Sequence, residues 1–197
     1  MQLNKDKIHY YQKNRGDFLM IDYVTELETG NFANGYKDLD ENLWFFKIHW
    51  PGDPNMPASL QLESLTQLCA LSILTMDEHV GKFMYLVSAN NLKFKKKITP
   101  QFKRFNLETK IIKFKRGIAN CTGQGFVDND LACSADFNLI LADEVEKSIR
   151  SVIQQAQKMA STTIDDVLIC FSGGSPTSNS IFEELNLQTT IIGRRDI

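Results

Sequence analysis

The hydrophobic and polar positions predict one long, deeply buried helix. Between residues 58 and 74, apolar side chains cover most of a helical circumference, which is typical of a helix buried nearly all round. Pro57 suits the first turn of a helix, because its missing N–H costs nothing there, so we expect the helix to begin at about Ala58. Polar side chains at i, i+4 spacing form a single stripe on this helix: Ser59, Glu63 and Gln67.

Three strands are predicted before this helix. Residues 18–24 are an apolar run typical of a buried strand, and residues 35–41 and 43–49 suggest two more. Residues 30–35 begin and end with glycine, which favours a loop. The third predicted strand ends at His49 and so delivers that side chain to the region before the helix.

The rest of the pattern predicts a helix at the start and a run of strands after the long helix. Residues 4–13 form a predicted short helix with Ile8 and Tyr11 on its inward side. Strands begin again at residues 83–87, and apolar and polar side chains alternate most clearly over residues 133–141. One helix followed by several antiparallel strands indicates the α+β class.

The last part of the chain is a predicted C-terminal extension, so we divide the chain into residues 1–142 and 143–197. Residues 143–159 have the pattern of an amphipathic helix, and residues 166–171 that of a strand, which is followed by Ser172, Gly173 and Gly174. A phosphate loop is not supported there, because two glycines without a lysine are a weak motif. We expect this extension to pack against the first domain or a partner subunit.

Composition places the chain among globular proteins of one ordinary domain with an appendage. It has 197 residues, of which 43% are hydrophobic and 23% charged, and a net charge of −2. The four cysteines lack the spacing of a metal site, which favours reduced thiols. We find no signal-peptide core and no apolar run long enough to span a membrane, and therefore expect a cytoplasmic protein.

A basic segment lies between residues 92 and 116, where ten lysines and arginines accompany one acid, Glu108. Such a segment can be a solvated strand face that discourages edge-to-edge aggregation. Nucleic-acid binding is not supported, since the chain as a whole is not basic and contains no recognised nucleic-acid motif. A basic surface also suits the docking of an acidic partner protein.

Candidate chemistry is concentrated in residues 49–67. His49 precedes a turn rich in proline and glycine, and Glu63 is the only acid of the apolar helix. An acid within a buried helix must be paired, hydrogen-bonded or protonated, which makes Glu63 a candidate acid or base. A lone histidine is more often structural, so the surrounding residues decide the interpretation.

Those surroundings resemble the active-site segment of the hot-dog-fold (3R)-hydroxyacyl-acyl carrier protein dehydratases. The family pattern is a histidine, a Gly-[His/Asp]-Pro turn, Met-Pro, and an acid on the next helix. The matching positions are His49, Gly52, Asp53, Pro54, Met56, Pro57, Glu63 and Gln67. Arg15 and Phe18 also agree with the family's opening segment, whereas Asn14, Gly16 and Asp17 depart from it. The resemblance implies a long central helix wrapped by a curled antiparallel sheet over residues 8–142.

The resemblance also implies a mechanism, namely the loss of water from a 3-hydroxyacyl thioester to give the trans-2-enoyl thioester. His49 would remove the C2 proton as general base, with the backbone carbonyl of Asn55 fixing its tautomer. Glu63 would give its proton to the departing hydroxyl, and Gln67 would orient the Glu63 carboxyl group. No metal or organic cofactor is needed for this elimination.

In the same family-based interpretation, backbone N–H groups near Ala58 and Ser59 receive the charge that develops on the thioester oxygen. Ala58 stands where the family usually has glycine, and Gly52 belongs to the orienting turn. The predicted docking residues for the acyl carrier protein are Lys93, Lys95, Lys96 and Lys97.

The resemblance further implies a homodimer, or a dimer-based higher oligomer, in which His49 of one subunit works with Glu63 of the other. Two alternatives stay open at this point. One is a hot-dog protein that binds or hydrolyses acyl thioesters, although thioesterases of this fold typically lack the strand-end histidine. The other is a degenerate carrier-binding subunit, which the presence of Ile48 in place of the usual glycine leaves open.

Overall fold

The computed structural model describes residues 1–160, and the predicted elements between residues 166 and 192 lie outside the described residues. The described chain contains four helices and six strands. The helices are α1 (Lys5–Tyr11), α2 (Trp44–Ile48), α3 (Ala58–Leu74) and α4 (Ala142–Ala160). The strands are β1 (Tyr23–Glu28), β2 (Phe32–Asp38), β3 (Met84–Phe94), β4 (Arg104–Lys115), β5 (Ile118–Val127) and β6 (Asp130–Leu141).

The six strands form one sheet in the order β1-β2-β4-β5-β6-β3, and every neighbouring pair is antiparallel. β3 is therefore an edge strand that comes early in the chain but pairs with the last strand. The sheet packs against α3, which confirms the predicted α+β class and the long central helix.

The central helix lies deep in the protein and packs closely over two glycines of the sheet. Helix α3 begins at Ala58 as predicted, and 13 of its 17 residues are buried. A Cβ atom on Gly35 of β2 would lie 3.1 Å from Leu68 Cδ1, and one on Gly123 of β5 would lie 3.2 Å from Leu65 Cδ2. A side chain on either glycine would therefore crowd α3, and one on Gly35 would also lie 2.5 Å from the Tyr23 carbonyl oxygen of β1.

Three other predicted elements are confirmed. Helix α1 occupies most of residues 4–13, with Ile8 fully buried and Tyr11 packed against the core. The second run of strands begins at β3 as expected. In β6 the alternation puts every second side chain into the core: Cys133, Ala135, Phe137, Leu139 and Leu141.

The prediction of a strand over residues 18–24 is wrong. The strand β1 begins only at Tyr23, and Gly16–Phe18 form a 3-10 turn. Leu19, Met20 and Ile21 are buried as the apolar run implied. The Met20 N–H, however, donates to the side-chain oxygen of Gln67 at 2.9 Å and not to a neighbouring strand. The Gln67 side chain of the central helix therefore accepts the backbone hydrogen bond that a neighbouring strand would accept in a sheet.

The predicted loop over residues 30–35 is also wrong, because β2 begins at Phe32 and ends at Asp38, earlier than the predicted strand over 35–41. Only residues 29–31 form the turn, where Gly30 has a φ of 78°. Gly35 belongs to the strand and provides the close approach to α3 described above.

The third error concerns the segment that carries His49. Residues 43–49 are predicted as a strand, but the structure has the short helix α2 over Trp44–Ile48. Phe45 and Phe46 are consecutive and both buried, whereas consecutive side chains of a strand point to opposite faces. The His49 N–H donates to the Phe45 carbonyl at 3.1 Å, so His49 ends a helix and not a strand.

Helix α4 follows β6 directly and confirms the predicted helix over residues 143–159. Two apolar side chains in its second half, Val152 and Met159, are exposed. Within residues 1–160, no helix is both long and apolar enough to cross a bilayer.

Candidate active site

His49 is held by the turn that connects α2 to α3. Its Nδ1 lies 3.1 Å from the carbonyl oxygen of Asn55. A carbonyl can only accept a hydrogen bond, so in neutral imidazole Nδ1 carries the proton and Nε2 is left with a free lone pair. Asn55 is buried, and its side-chain amide donates to the Asp53 carbonyl at 2.8 Å, which closes the turn.

Glu63 lies half-buried on α3 and is held by Gln67, one turn further along the helix. The Gln67 Nε2 donates to Glu63 Oε1 at 2.7 Å and to the Phe18 carbonyl at 2.9 Å, while Gln67 Oε1 accepts from the Met20 N–H. Both the amide nitrogen and the amide oxygen of Gln67 are therefore hydrogen-bonded, which fixes the side chain relative to Glu63 on α3 and to residues 18–20 before β1. Two residues of the predicted polar stripe, Glu63 and Gln67, form a hydrogen-bonded pair, and the third, Ser59, is exposed at the start of α3.

The Glu63 side chain lines a cavity of about 110 Å³. The walls come from the end of α1, one side of α3 and the start of β3: Gln12, Lys13, Asn14, Glu63, Thr66, Gln67, Ala70, Leu74, Lys82, Phe83, Met84, Leu86 and Leu139. The wall is therefore polar around Glu63 and apolar further along α3 and β3. Within the part of the chain that the structure describes, His49 is not part of this wall.

The N-terminal end of α3 presents backbone N–H groups beside the His49 turn. The N–H groups of Leu60 and Gln61 make the first helical bonds, both to the Pro57 carbonyl. The N–H groups of Ala58 and Ser59 precede those bonds, and both residues are exposed. Gly52 is exposed as well, and a Cβ there would meet no atom of residues 1–160 within 4 Å, so no contact in that part of the chain requires glycine at this position.

The four predicted docking lysines lie at the end of β3 and in the loop that follows it. Lys96 pairs with Asp130, and Lys97 pairs with Asp53 of the His49 turn. Lys93 and Lys95 are both exposed. The backbone adds a second link between this loop and the turn, because the Met56 N–H donates to the Ile98 carbonyl at 2.8 Å.

The second half of the basic segment lies elsewhere. The ring of Phe114 in β4 contacts that of His79 at a centroid distance of 5.7 Å, and His79 belongs to the 3-10 turn after α3. Lys113 and Lys115 therefore lie near the C-terminal end of α3. Residues 93–97 lie near the His49 turn, so the basic segment reaches both ends of α3, which the sequence alone does not show.

Three features near the site were not predicted. They are the Lys97–Asp53 ion pair, the contribution of residues 12–14 to the cavity, and the stacking of Trp50 on His49 with ring centroids 4.8 Å apart. Trp50 had a sequence signal, as a large aromatic residue directly after the candidate base, and Asn14 had one as a departure from the family's opening segment. The ion pair and the cavity wall depend on contacts between distant segments.

A central helix packed against a six-stranded antiparallel sheet in this strand order defines the hot-dog fold. The site adds a histidine held by a backbone carbonyl and an acid on the central helix. The chain belongs to the family of the FabA-like domain, whose model matches residues 13–136. The resemblance found in the sequence is thereby confirmed.

Relatives and solved structures agree with this assignment. The chain is 38% identical over 137 residues to a 3-hydroxyacyl-[acyl-carrier-protein] dehydratase FabZ of Clostridium novyi, a match that covers 66% of this chain and 96% of the relative. It is 32% identical over 141 residues to the enzyme of the same name from Bacillus subtilis, covering 72% and 99%.

Among solved structures, the chain is similar in fold to the dehydratase heterocomplex ApeI:P from Xenorhabdus doucetiae. That match has a TM-score of 0.59 at 8% identity and covers 72% of this chain and 96% of that chain. The virulence protein Cj0977 from Campylobacter jejuni matches with a TM-score of 0.52 at 10% identity, covering 66% and 82%. At such low identity these two structures establish the fold alone.

Proposed function

We propose that this protein dehydrates (3R)-hydroxyacyl thioesters carried on acyl carrier protein to the trans-2-enoyl thioesters; its relatives are named 3-hydroxyacyl-[acyl-carrier-protein] dehydratases. The observation that carries the proposal is the contact between His49 Nδ1 and the Asn55 carbonyl. Because that contact keeps the proton on Nδ1, Nε2 is the atom that removes the C2 proton. Imidazole suits this work at neutral pH.

Glu63 is the acid of the reaction. Its proton goes to the C3 hydroxyl, the C3–O bond breaks, and water leaves as the C2–C3 double bond forms. The hydrogen bond from Gln67 supports this role, because it fixes one carboxyl oxygen and leaves the other for the substrate. The same bond makes Gln67 the residue that orients Glu63.

The thioester oxygen gains negative charge as the C2 proton departs. The N–H groups of Ala58 and Ser59, at the exposed start of α3, are the donors for this charge. The alanine keeps the N–H that a glycine would supply, and Gly52 gives the turn room beside the thioester.

The reactive unit in this proposal is a homodimer, with His49 of one subunit facing Glu63 of its partner. Strand β3 supports this arrangement, because it is the last strand on its side of the sheet in the described part of the chain. Its first half also exposes apolar side chains: Tyr85 by 50%, Leu86 by 37% and Val87 by 56%. Monomeric proteins rarely leave such an edge uncovered.

A second copy paired along β3 would explain the separation of the two residues. Phe83, Met84 and Leu86, at the start of β3, also form part of the wall of the Glu63 cavity. Pairing at this edge therefore brings a partner chain to the cavity that lacks a histidine. By two-fold symmetry each dimer then has two equivalent composite sites.

The carrier protein docks, in this proposal, on Lys93, Lys95, Lys96 and Lys97. Their loop contacts the His49 turn through the Lys97–Asp53 pair and the Met56–Ile98 backbone bond. A carrier bound there is next to the catalytic turn, and opposite charges speed its approach. We also propose a cytoplasmic location, in which the buried thiols Cys69, Cys121 and Cys133 stay reduced.

The direct test is incubation of the purified protein with (3R)-hydroxyacyl carrier thioesters of several chain lengths, followed by mass spectrometry. We expect loss of one water with the thioester intact. Release of a free acid would indicate a thioesterase, and an unchanged substrate at every chain length would indicate a binding subunit. Either result would contradict the proposal.

The composite site is tested by mixing two inactive variants. His49→Ala and Glu63→Ala should each lose roughly 100- to 10,000-fold in activity. After co-refolding, about half of the dimers are mixed, and each of these has one intact site, so about a quarter of wild-type activity should return. If mixed dimers form without recovery, the two residues do not act across a dimer interface.

A further inference from the structure

Trp50 makes a contact that core packing does not explain. Its side chain is 57% exposed, so it contributes little to the hydrophobic core. Its indole nevertheless lies nearly parallel to the His49 imidazole, with an interplanar angle of 14° and ring centroids 4.8 Å apart. Ile48, the other neighbour of His49, is 66% exposed and makes no comparable ring contact.

The backbone holds the indole in place. Pro51 follows Trp50 and restricts the conformations that Trp50 can adopt. The Trp50 carbonyl in turn accepts a hydrogen bond from the Asp53 N–H at 2.8 Å. The Trp50 backbone is therefore restrained, and only the two side-chain torsions of the indole are fixed when it covers the imidazole.

The stack and the Asn55 contact restrain His49 in different ways. The hydrogen bond at Nδ1 fixes one edge of the ring, while the indole face prevents the ring from turning about that bond. Together these two contacts leave Nε2 as the reactive atom, and they fix the direction in which its lone pair points. This is the preorganisation that a general base requires.

The stack also favours the charge that His49 acquires. A neutral imidazole that takes a proton from C2 becomes an imidazolium, and a cation over an indole face is attracted by the negative face of the ring. The attraction is weak before proton transfer and grows as charge develops. It therefore lowers the barrier of the chemical step more than it strengthens substrate binding.

We infer that Trp50 is a positioning residue for the dehydration, one that orients His49 and favours its protonated form during turnover. The inference rests on the proposed function. For a contact of this kind the expected contribution is roughly 2- to 30-fold in kcat, with KM almost unchanged. Among aromatic residues tryptophan is the strongest partner for a cation, so phenylalanine should replace it only in part.

The test compares Trp50→Leu and Trp50→Phe in the full chain, with a (3R)-hydroxyacyl thioester that the wild type dehydrates. Trp50→Leu should lower kcat by the stated factor, Trp50→Phe should recover part of the loss, and KM should stay constant. Ile48→Ala is the matched control, because it removes exposed apolar surface on the other side of His49 without removing a ring contact. It should leave kcat within about twofold of wild type.

A spectroscopic measurement follows the stack directly. The chain has three histidines, so the ring signals of His49 can be assigned by comparison with His49→Gln. The indole ring current should move the His49 ring protons upfield in the wild type, and Trp50→Leu should abolish that displacement. An unchanged spectrum, or an unchanged kcat in Trp50→Leu, would overturn the inference.

The remaining outcomes separate this inference from the proposed function. If Trp50→Leu raises KM and leaves kcat intact, Trp50 contacts the substrate and does not act through His49, which overturns the inference alone. If the wild type dehydrates no 3-hydroxyacyl thioester, the proposed function and the inference both fail.

Discussion

Replacing Gln67 with methionine removes the side chain that connects α3 to the segment before β1. Methionine has nearly the same length and fits a buried site, so the change tests hydrogen bonding more than volume. Gln67 is 3% exposed and makes three hydrogen bonds, to Glu63, to the Phe18 carbonyl and to the Met20 N–H.

The three bonds do not contribute equally. Met20 is fully buried, so its N–H would be left without an acceptor at a cost of about 1 to 3 kcal/mol. Phe18 is 52% exposed, and water can replace the lost donor to its carbonyl. The bond to Glu63 adds about 0.5 to 1.5 kcal/mol. We therefore expect Gln67→Met to lower the free energy of unfolding by roughly 2 to 4 kcal/mol.

The matched control is Gln61→Met on the same helix. Gln61 is 4% exposed, but it makes one bond, to the Met56 carbonyl, and its side-chain oxygen has no partner among residues 1–160. Removing it loses one bond and also removes an unpaired buried oxygen, so the free energy of unfolding should change by less than about 1 kcal/mol.

Urea denaturation at one protein concentration measures both variants, since the stability of an oligomer depends on concentration. Gln67→Met should move the midpoint without changing the slope, and it should also lower kcat because Glu63 is no longer oriented. If the two variants lose equal stability, or if Gln67→Met loses less than about 1 kcal/mol, the assigned hydrogen bonds do not stabilise the fold as argued.

Three further predictions concern chemistry and charge. His49→Ala should lose roughly 100- to 10,000-fold in kcat with an unchanged urea midpoint, and a variant that retains activity or unfolds would contradict its role. The double variant with Lys93→Glu and Lys95→Glu should raise KM for a carrier-borne substrate but not for a small thioester. The control with Lys113→Glu and Lys115→Glu, near the other end of α3, should leave KM unchanged for both substrates. Equal effects of the two double variants would refute a local docking site. Burial raises the pKa of the Cys133 thiol from 9.0 to about 12. The protonated thiol therefore contributes its full stability below pH 9, and this contribution falls as the pH rises toward 12. The free energy of unfolding should fall by up to about 1.4 kcal/mol per pH unit in that range. Cys133→Ala should make this decline shallower than in the wild type, and identical slopes would show that Cys133 does not cause it.

The parts of the fold that sequence predicts well are those with long, regular patterns. Helix α3 has more than four turns of apolar residues and a proline before its first turn, and its start at Ala58 is correct. Strand β6 alternates over most of its length, and its inward residues are correct. In both cases many side chains report the same period, so single exceptions do not matter.

The errors lie where the pattern is short or where the cause is a distant contact. Helix α2 has only five residues, too few to show a helical period, and its aromatic residues suggest a strand. Gly35 suggests a turn, but it lies in a strand where a side chain would collide with the Tyr23 carbonyl of β1 and crowd Leu68 of α3. The bond from the Met20 N–H to Gln67 spans 47 residues, so no local pattern contains it.

The candidate site likewise has features that a local sequence pattern predicts and features that depend on contacts between distant residues. The resemblance to a known family proposed His49, Glu63 and their neighbours as site residues from a short, specific motif, and their roles stay predictions. It could not provide the Trp50 stack or the ion pair between Lys97 and Asp53, which depend on this chain's own side chains. It also did not show that the basic segment is divided between the two ends of α3.

The place of β3 in the sheet has a consequence for how the protein is made. Its one pairing partner in the sheet of residues 1–160 is β6, whose last residue is synthesised about 50 residues after β3 ends. At about 5 to 20 residues per second, a nascent β3 waits roughly 2 to 10 s with Tyr85 and Leu86 unpaired. Chaperones that bind extended apolar segments therefore have their best opportunity on this strand during translation, before β6 leaves the ribosome.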